Sequence, residues 1–78
     1  MGKNLLERIT IDPGVLCGKP VIKGTRISVE LILEKLVQGY SYPKIAKEYD
    51  IQEEDIKAAL FYAQKTIANE EVYEAIWN

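Results

Sequence analysis

Two stop-and-restart signals constrain this chain more than any other feature. Gly39-Tyr40-Ser41 ends one helical stretch and caps the next, and Tyr49-Asp50-Ile51 interrupts again one short helix later. Glycine suits the left-handed residue that ends a helix. A serine hydroxyl accepts from a free amide of the following first turn. The segments between these boundaries are short. They predict helices that cross over tight turns.

The first helix is predicted to begin at Ser28, with Glu30 in the first turn where the helix dipole favours a negative charge. Val29, Ile32, Leu33, Leu36, Val37 and Tyr40 form its apolar stripe, and Glu30, Glu34, Lys35 and Gln38 its wet face. The second runs from about Tyr42 to Glu48, with Pro43 in the first turn, where the missing N–H costs no intrahelical bond. A third begins near Glu53 and carries Ile56, Ala59, Leu60, Ala63 and Ile67 at helical spacing. Beyond Ile67 that stripe loses phase, because its continuation falls on Glu70, Glu71 and Glu74, so a break near Asn69 is expected.

Between Tyr42 and Leu60 the small and apolar residues follow a helix-turn-helix order. Ile45 lies inside the first of the two helices, Ala46 is small where the second must approach, Asp50 turns, Ile51 plugs the corner, and Ile56 and Ala59 face inward. The N-terminal third has no helical period. "RITID" alternates and "PVI" follows a Gly-Lys-Pro turn, which predicts short strands; Gly24 is a site for positive φ. Thr25 is expected to bond its own turn, and Cys17 to be a small buried residue rather than a reactive thiol.

The fold expected is mainly α: a three-helix helix-turn-helix bundle with a short N-terminal β element and a C-terminal helical tail. Its division is residues 1–27 as an extended arm, 28–68 as the tri-helical core and 69–78 as the tail. A 78-residue chain makes one domain with a thin core, and a single cysteine leaves no intramolecular disulfide to staple it. With no secretory or spanning segment in view, a cytoplasmic location and no membrane partner are expected. There is no histidine, no phosphate-binding Gly-rich loop and no inward-facing pair of acids. The expectation is therefore not an enzyme, with no catalytic residues, no metal and no cofactor.

Charge is unevenly spread. Residues 1–26 carry a net +3 and residues 52–78 a net -4, so one end can face a polyanion or the other end of a second copy. The first turn of the third helix, where a helix-turn-helix protein meets DNA, shows Glu53, Glu54 and Asp55. These oppose phosphate, and they also serve the plainer purpose of stabilising the helix dipole. A DNA-binding surface would then draw on Lys19, Lys23 and Arg26, with Lys57 near the groove. The alternative is that both lysines are solvated turn residues and Arg26 pairs with a local carboxylate. Lys44 and Lys47 could add a phosphate clamp or be plain surface. Val72, Tyr73, Ile76 and Trp77 form an apolar cluster that either packs back on the bundle or binds a partner, with a homodimer if it swaps onto another copy.

"GKPVIKGTRISVELILEKLVQGYS" followed by "IAKEYDIQEEDIKAAL", across roughly residues 8 to 64, resembles domain-of-unknown-function family 433, small helix-turn-helix proteins similar to VapB-type antitoxins. The family usually places proline directly after the serine that caps the second helix; here Tyr42 intervenes. It often has Ser or Thr where this chain has Gln52, so Asp50 or water is expected to cap the third helix instead. The resemblance implies a homeodomain-like or winged-helix-like bundle and a DNA-binding transcription regulator. It further implies an antitoxin paired with a PIN-type ribonuclease toxin, with DNA at the basic head and the toxin at the tail. The competing expectation is a protein-interaction module on the same fold without nucleic-acid binding.

Overall fold

The computed structural model describes the backbone of residues 5–77 and the side chains of residues 5–68. Two short antiparallel strands, β1 (Ile9–Ile11) and β2 (Pro20–Ile22), pair with Ile9 opposite Ile22 and Ile11 opposite Pro20. Three helices follow: α1 (Val29–Val37), α2 (Tyr42–Tyr49) and α3 (Glu53–Trp77). This is the mainly helical bundle with a small N-terminal sheet that the sequence predicts.

The boundaries are made by the residues that signal them. Ser28 Oγ accepts from Leu31 N at 3.0 Å, and Ser41 Oγ accepts from Lys44 N at 3.2 Å. The serine cap of α2 therefore survives the displacement of proline to position 43. Gly39, at φ 95°, turns the chain out of α1, and Tyr40 N donates back to Lys35 O at 3.0 Å. Asp50 ends α2 in the left-handed region (φ 55°, ψ 48°), a conformation that Asp tolerates better than most side chains. Among the described residues the Asp50 side chain makes no cap bond to α3. Gln52 N donates to Asp55 Oδ2 at 2.9 Å, so the helix is capped from its own first turn.

Ile32, Ile45 and Ile56, one from each helix, are fully buried and meet Ile22 and Val29 in one cluster. Burying each isoleucine is worth roughly 1.5–3 kcal/mol relative to leaving it in water. Ala58 and Ala59 are also fully buried. Their small size is what lets α3 lie close to its neighbours.

Four expectations are corrected here. Val37, assigned to the apolar stripe of α1, is 87% exposed, because it stands at the last helical turn, past the end of the cluster. Ile67 is 55% exposed, since α3 outruns the body it packs on. Cys17 is exposed rather than buried. Leu16, Cys17 and Gly18 all have positive φ, a winding that turns the chain outward between the strands. Finally, α3 does not break near Asn69 and continues to Trp77. Residues 68–77 contain no Gly or Pro, and Ala and Glu hold a helix even where the apolar stripe rotates around it. Among the described residues no helix is long and apolar enough to cross a membrane, and no cluster of His, Cys, Asp and Glu could hold a metal.

Candidate nucleic-acid interface

The basic head is a rigid turn. Thr25 Oγ1 donates to Ile22 O at 2.7 Å and accepts from Ile27 N at 3.0 Å, while Ile22 N donates to Ile27 O at 2.9 Å. Thr25 thus bonds its own turn, as the sequence suggests, and Gly24 supplies the positive φ of 79° that the turn needs. The result holds Lys23 and Arg26 exposed on a fixed loop. Neither makes an ion pair among the described residues, so the expected alternative of a local carboxylate for Arg26 is not met.

Lys19 and Lys57 are placed differently. Lys19 Nζ lies 3.2 Å from Glu30, and Lys57 Nζ 3.2 Å from Glu54; all four side chains are at least half exposed. Such pairs contribute little and exchange readily. The acidic first turn of α3 is likewise mostly engaged. Asp55 accepts from Arg8 Nη1 at 2.9 Å as well as from Gln52 N, and Glu54 holds Lys57, which leaves Glu53 as the acid of that turn without an ion-pair partner among the described residues. Two of the three acids, Glu54 and Asp55, are thus paired within the fold.

The sequence reading missed two groupings. One is the Arg8–Asp55 link, which ties the residue before β1 to the start of α3 across 47 positions of sequence. The Gln52-x-x-Asp55 spacing was its visible half. The other lies at the α1–α2 corner, where Lys35 and Lys44 stand over the same Tyr40 ring at 5.0 and 4.3 Å from its centre. Lys35 titrates above the usual lysine value of 10.5: partial desolvation works against its charge but is outweighed by Tyr40, Tyr49 and Glu48 beside it. Lys44 and Lys47 are both exposed along α2. Lys35 lies in the last turn of α1 and Glu30, the partner of Lys19, in its first, so the two basic groups sit at opposite ends of α1.

A second surface is apolar. A groove of about 350 Å³ runs between the β2–α1 side and α3, lined by Pro20, Val29, Leu33, Tyr62, Ala63 and Ile67. A second of about 470 Å³ adjoins it along α3 and shares Leu33, Ala63 and Ile67. The side chains of Val72, Tyr73, Ile76 and Trp77, predicted to bind a partner, lie outside the described residues.

The family described as "Protein of unknown function (DUF433)" matches residues 9–63, which span the hairpin, α1, α2 and the packed part of α3. The chain belongs to the DUF433 family. Two solved structures are similar to it. A DUF433 member protein from Anabaena variabilis is 28% identical with a TM-score of 0.73, covering 97% of this chain and 74% of that one. Rv2018 from Mycobacterium tuberculosis is 27% identical with a TM-score of 0.61 over 67% of this chain. The present chain corresponds to only 24% of Rv2018, so in that protein the shared fold is one part of a longer chain. No curated protein matches the chain.

Proposed function

We propose that this DUF433 protein is a non-enzymatic, DNA-binding helix-turn-helix regulator whose phosphate contacts centre on the α1–α2 corner. The observation that carries the reading is the placing of Lys35 and Lys44 on one Tyr40 ring, at the start of the helix that crosses the phosphate backbone in helix-turn-helix complexes. Cations held beside an aromatic ring lose less freedom on meeting a phosphate than solvated lysines do. Lys47 extends the same helix face region, and Lys23 and Arg26 offer a second, rigid contact through the turn after β2. Because Arg8 and Lys57 already offset Asp55 and Glu54, the approach of α3 to a duplex is opposed mainly by Glu53 rather than by three acids.

The test is fluorescence anisotropy of a duplex from the gene's own upstream region, beside a scrambled duplex, at two salt concentrations. Binding that prefers the upstream duplex and weakens steeply with salt supports a regulator. Lys44→Glu with Lys47→Glu is expected to abolish it. Lys23→Glu with Arg26→Glu should weaken it and flatten the salt slope by about 0.9 for each phosphate no longer neutralised. No binding even at low salt refutes the proposal.

A second reading, a protein-interaction module, is favoured by the apolar grooves beside α3. The antitoxin role implied by the resemblance combines both, with a ribonuclease partner competing for that apolar face.

A further inference from the structure

The turn after β2 is closed at its base, where Ile22 N donates to Ile27 O at 2.9 Å and Val21 pairs with Ser28 one step further from the tip. The residues between, Lys23 to Arg26, form the tip of a narrow loop whose two ends are held side by side. Within it Thr25 N donates to Ile22 O at 3.0 Å, and Gly24 takes the positive φ required at the third position of a type II turn. The Thr25 hydroxyl ties the loop at both Ile22 O and Ile27 N. From outside, Lys23 N donates to Arg8 O at 2.8 Å, and the Arg8 guanidinium is itself held at the start of α3 by Asp55. The tip is thus braced from within and from the body of the fold.

This bracing leaves a set of donors unused. The N–H groups of Ile22, Lys23, Thr25 and Ile27 are all engaged, whereas those of Gly24 and Arg26 make no bond to the protein among the described residues. Both residues are exposed, and apart from its chain neighbours nothing lies within 4 Å of where a Cβ on Gly24 would sit, so a ligand can approach the main chain there. Lys23 and Arg26 are exposed and without ion-pair partners among the described residues. They stand at the two ends of the same closed loop, so their long side chains can meet at one ligand. The tip carries no carboxylate, and its single hydroxyl is already bonded within the loop. Two cations and two unused N–H donors on a fixed turn suit an anion rather than a metal or an apolar ligand. Phosphate, with several acceptor oxygens, can take the main-chain donors and the planar fork of an arginine together.

We propose that the Lys23–Arg26 turn is a phosphate-binding site. The main-chain N–H groups of Gly24 and Arg26 and the side chains of Lys23 and Arg26 hold one phosphate group, and Thr25 fixes the loop around it. The inference deepens the nucleic-acid reading, since a duplex backbone is one source of that group and a free phosphate ester the other, and it is tested first without a duplex. Amide chemical shifts of isotope-labelled protein are followed during titration with inorganic phosphate, beside chloride at matched ionic strength. The Gly24 and Arg26 amides are expected to shift saturably in the millimolar range, while those of Thr25 and Ile27, already bonded within the loop, move far less. Lys23→Gln with Arg26→Gln should weaken binding about tenfold or more. Thr25→Val keeps both cations and should still weaken it several-fold, with Thr25→Ser restoring it, which attraction to surface charge alone does not explain. A short duplex then separates the sources. Shifts of the same two amides assign the site to a nucleic-acid backbone; a site that binds phosphate but is unmoved by the duplex serves a free phosphate ester, and the nucleic-acid role of this turn fails while the site stands. Shifts that rise linearly to tens of millimolar phosphate, that are matched by chloride, or that are unchanged in Thr25→Val overturn the proposal.

Discussion

Replacing Asp55 by alanine should destabilise the protein by about 2 kcal/mol, a large loss for a domain of this size. The carboxylate does two things. Through Oδ2 it accepts from Gln52 N at 2.9 Å and so caps α3, a role worth about 1 kcal/mol. Through Oδ1 it accepts from Arg8 Nη1 at 2.9 Å, with 13% of the Asp55 side chain exposed and 36% of that of Arg8. A fully buried bond to a charged group would add about 1.5–3 kcal/mol, but the exposure of Arg8 brings this down to about 1 kcal/mol. Asp55→Asn keeps an oxygen for the cap and loses the charge, so it should cost about half as much. Arg8→Ala should cost about 1 kcal/mol, and the pair should couple by a similar amount in a double-mutant cycle. Urea unfolding followed by circular dichroism, at one fixed protein concentration, measures the wild type, the three single variants and the double variant. The corresponding fall in melting temperature is roughly 8–16 °C for Asp55→Ala. A loss below about 0.5 kcal/mol for Asp55→Ala, or additive single variants, would refute the idea that one carboxylate joins the hairpin to the helix.

Three further outcomes follow from the geometry. Ile45→Ala, at a fully buried site central to the helix triangle, should cost about 2–5 kcal/mol and leave the protein largely unfolded at ambient temperature, seen as loss of the cooperative thermal transition. Gly24→Ala should cost about 1 kcal/mol by chemical denaturation even though nothing lies within 4 Å of the added methyl, because φ of 79° disfavours any L side chain. Tyr40→Leu should keep the fold but weaken duplex binding in the anisotropy assay, since Lys35 and Lys44 lose the ring that gathers them.

The fold was legible where local chemistry decides it. Ser28, Gly39, Ser41 and Asp50 each mark a boundary through a bond to the adjacent backbone or a left-handed turn, and every one of these acts as its residue type indicates. The departures arise where a distant element decides. Val37 and Ile67 satisfy the helical period yet face solvent, because periodicity reports a face and not the extent of the body behind it. Cys17 is turned outward by three successive positive-φ residues, only one of them glycine, a winding that residue type does not announce. The candidate interface was half legible: Lys23 and Arg26 stand out in sequence, whereas the meeting of Lys35 with Lys44 over Tyr40 depends on how α1 turns into α2. The engagement of Asp55 by Arg8 joins residues 47 positions apart, so in sequence the acid showed only its local readings, opposing phosphate or stabilising the helix dipole.

The continuation of α3 has a consequence for how this unit joins to others. The family match closes at residue 63, close to where α3 leaves the body, and about a quarter of Rv2018 carries the same fold inside a longer chain. A helix that leaves a folded body without a hinge transmits orientation as a shaft does. Adding one residue to it rotates whatever follows by about 100° and advances it 1.5 Å, whereas adding a whole turn moves it without changing its facing. Insertions and deletions beyond residue 63 therefore act as angular settings between this body and anything attached to it, and fusions built on the end of α3 should be designed in register with that period.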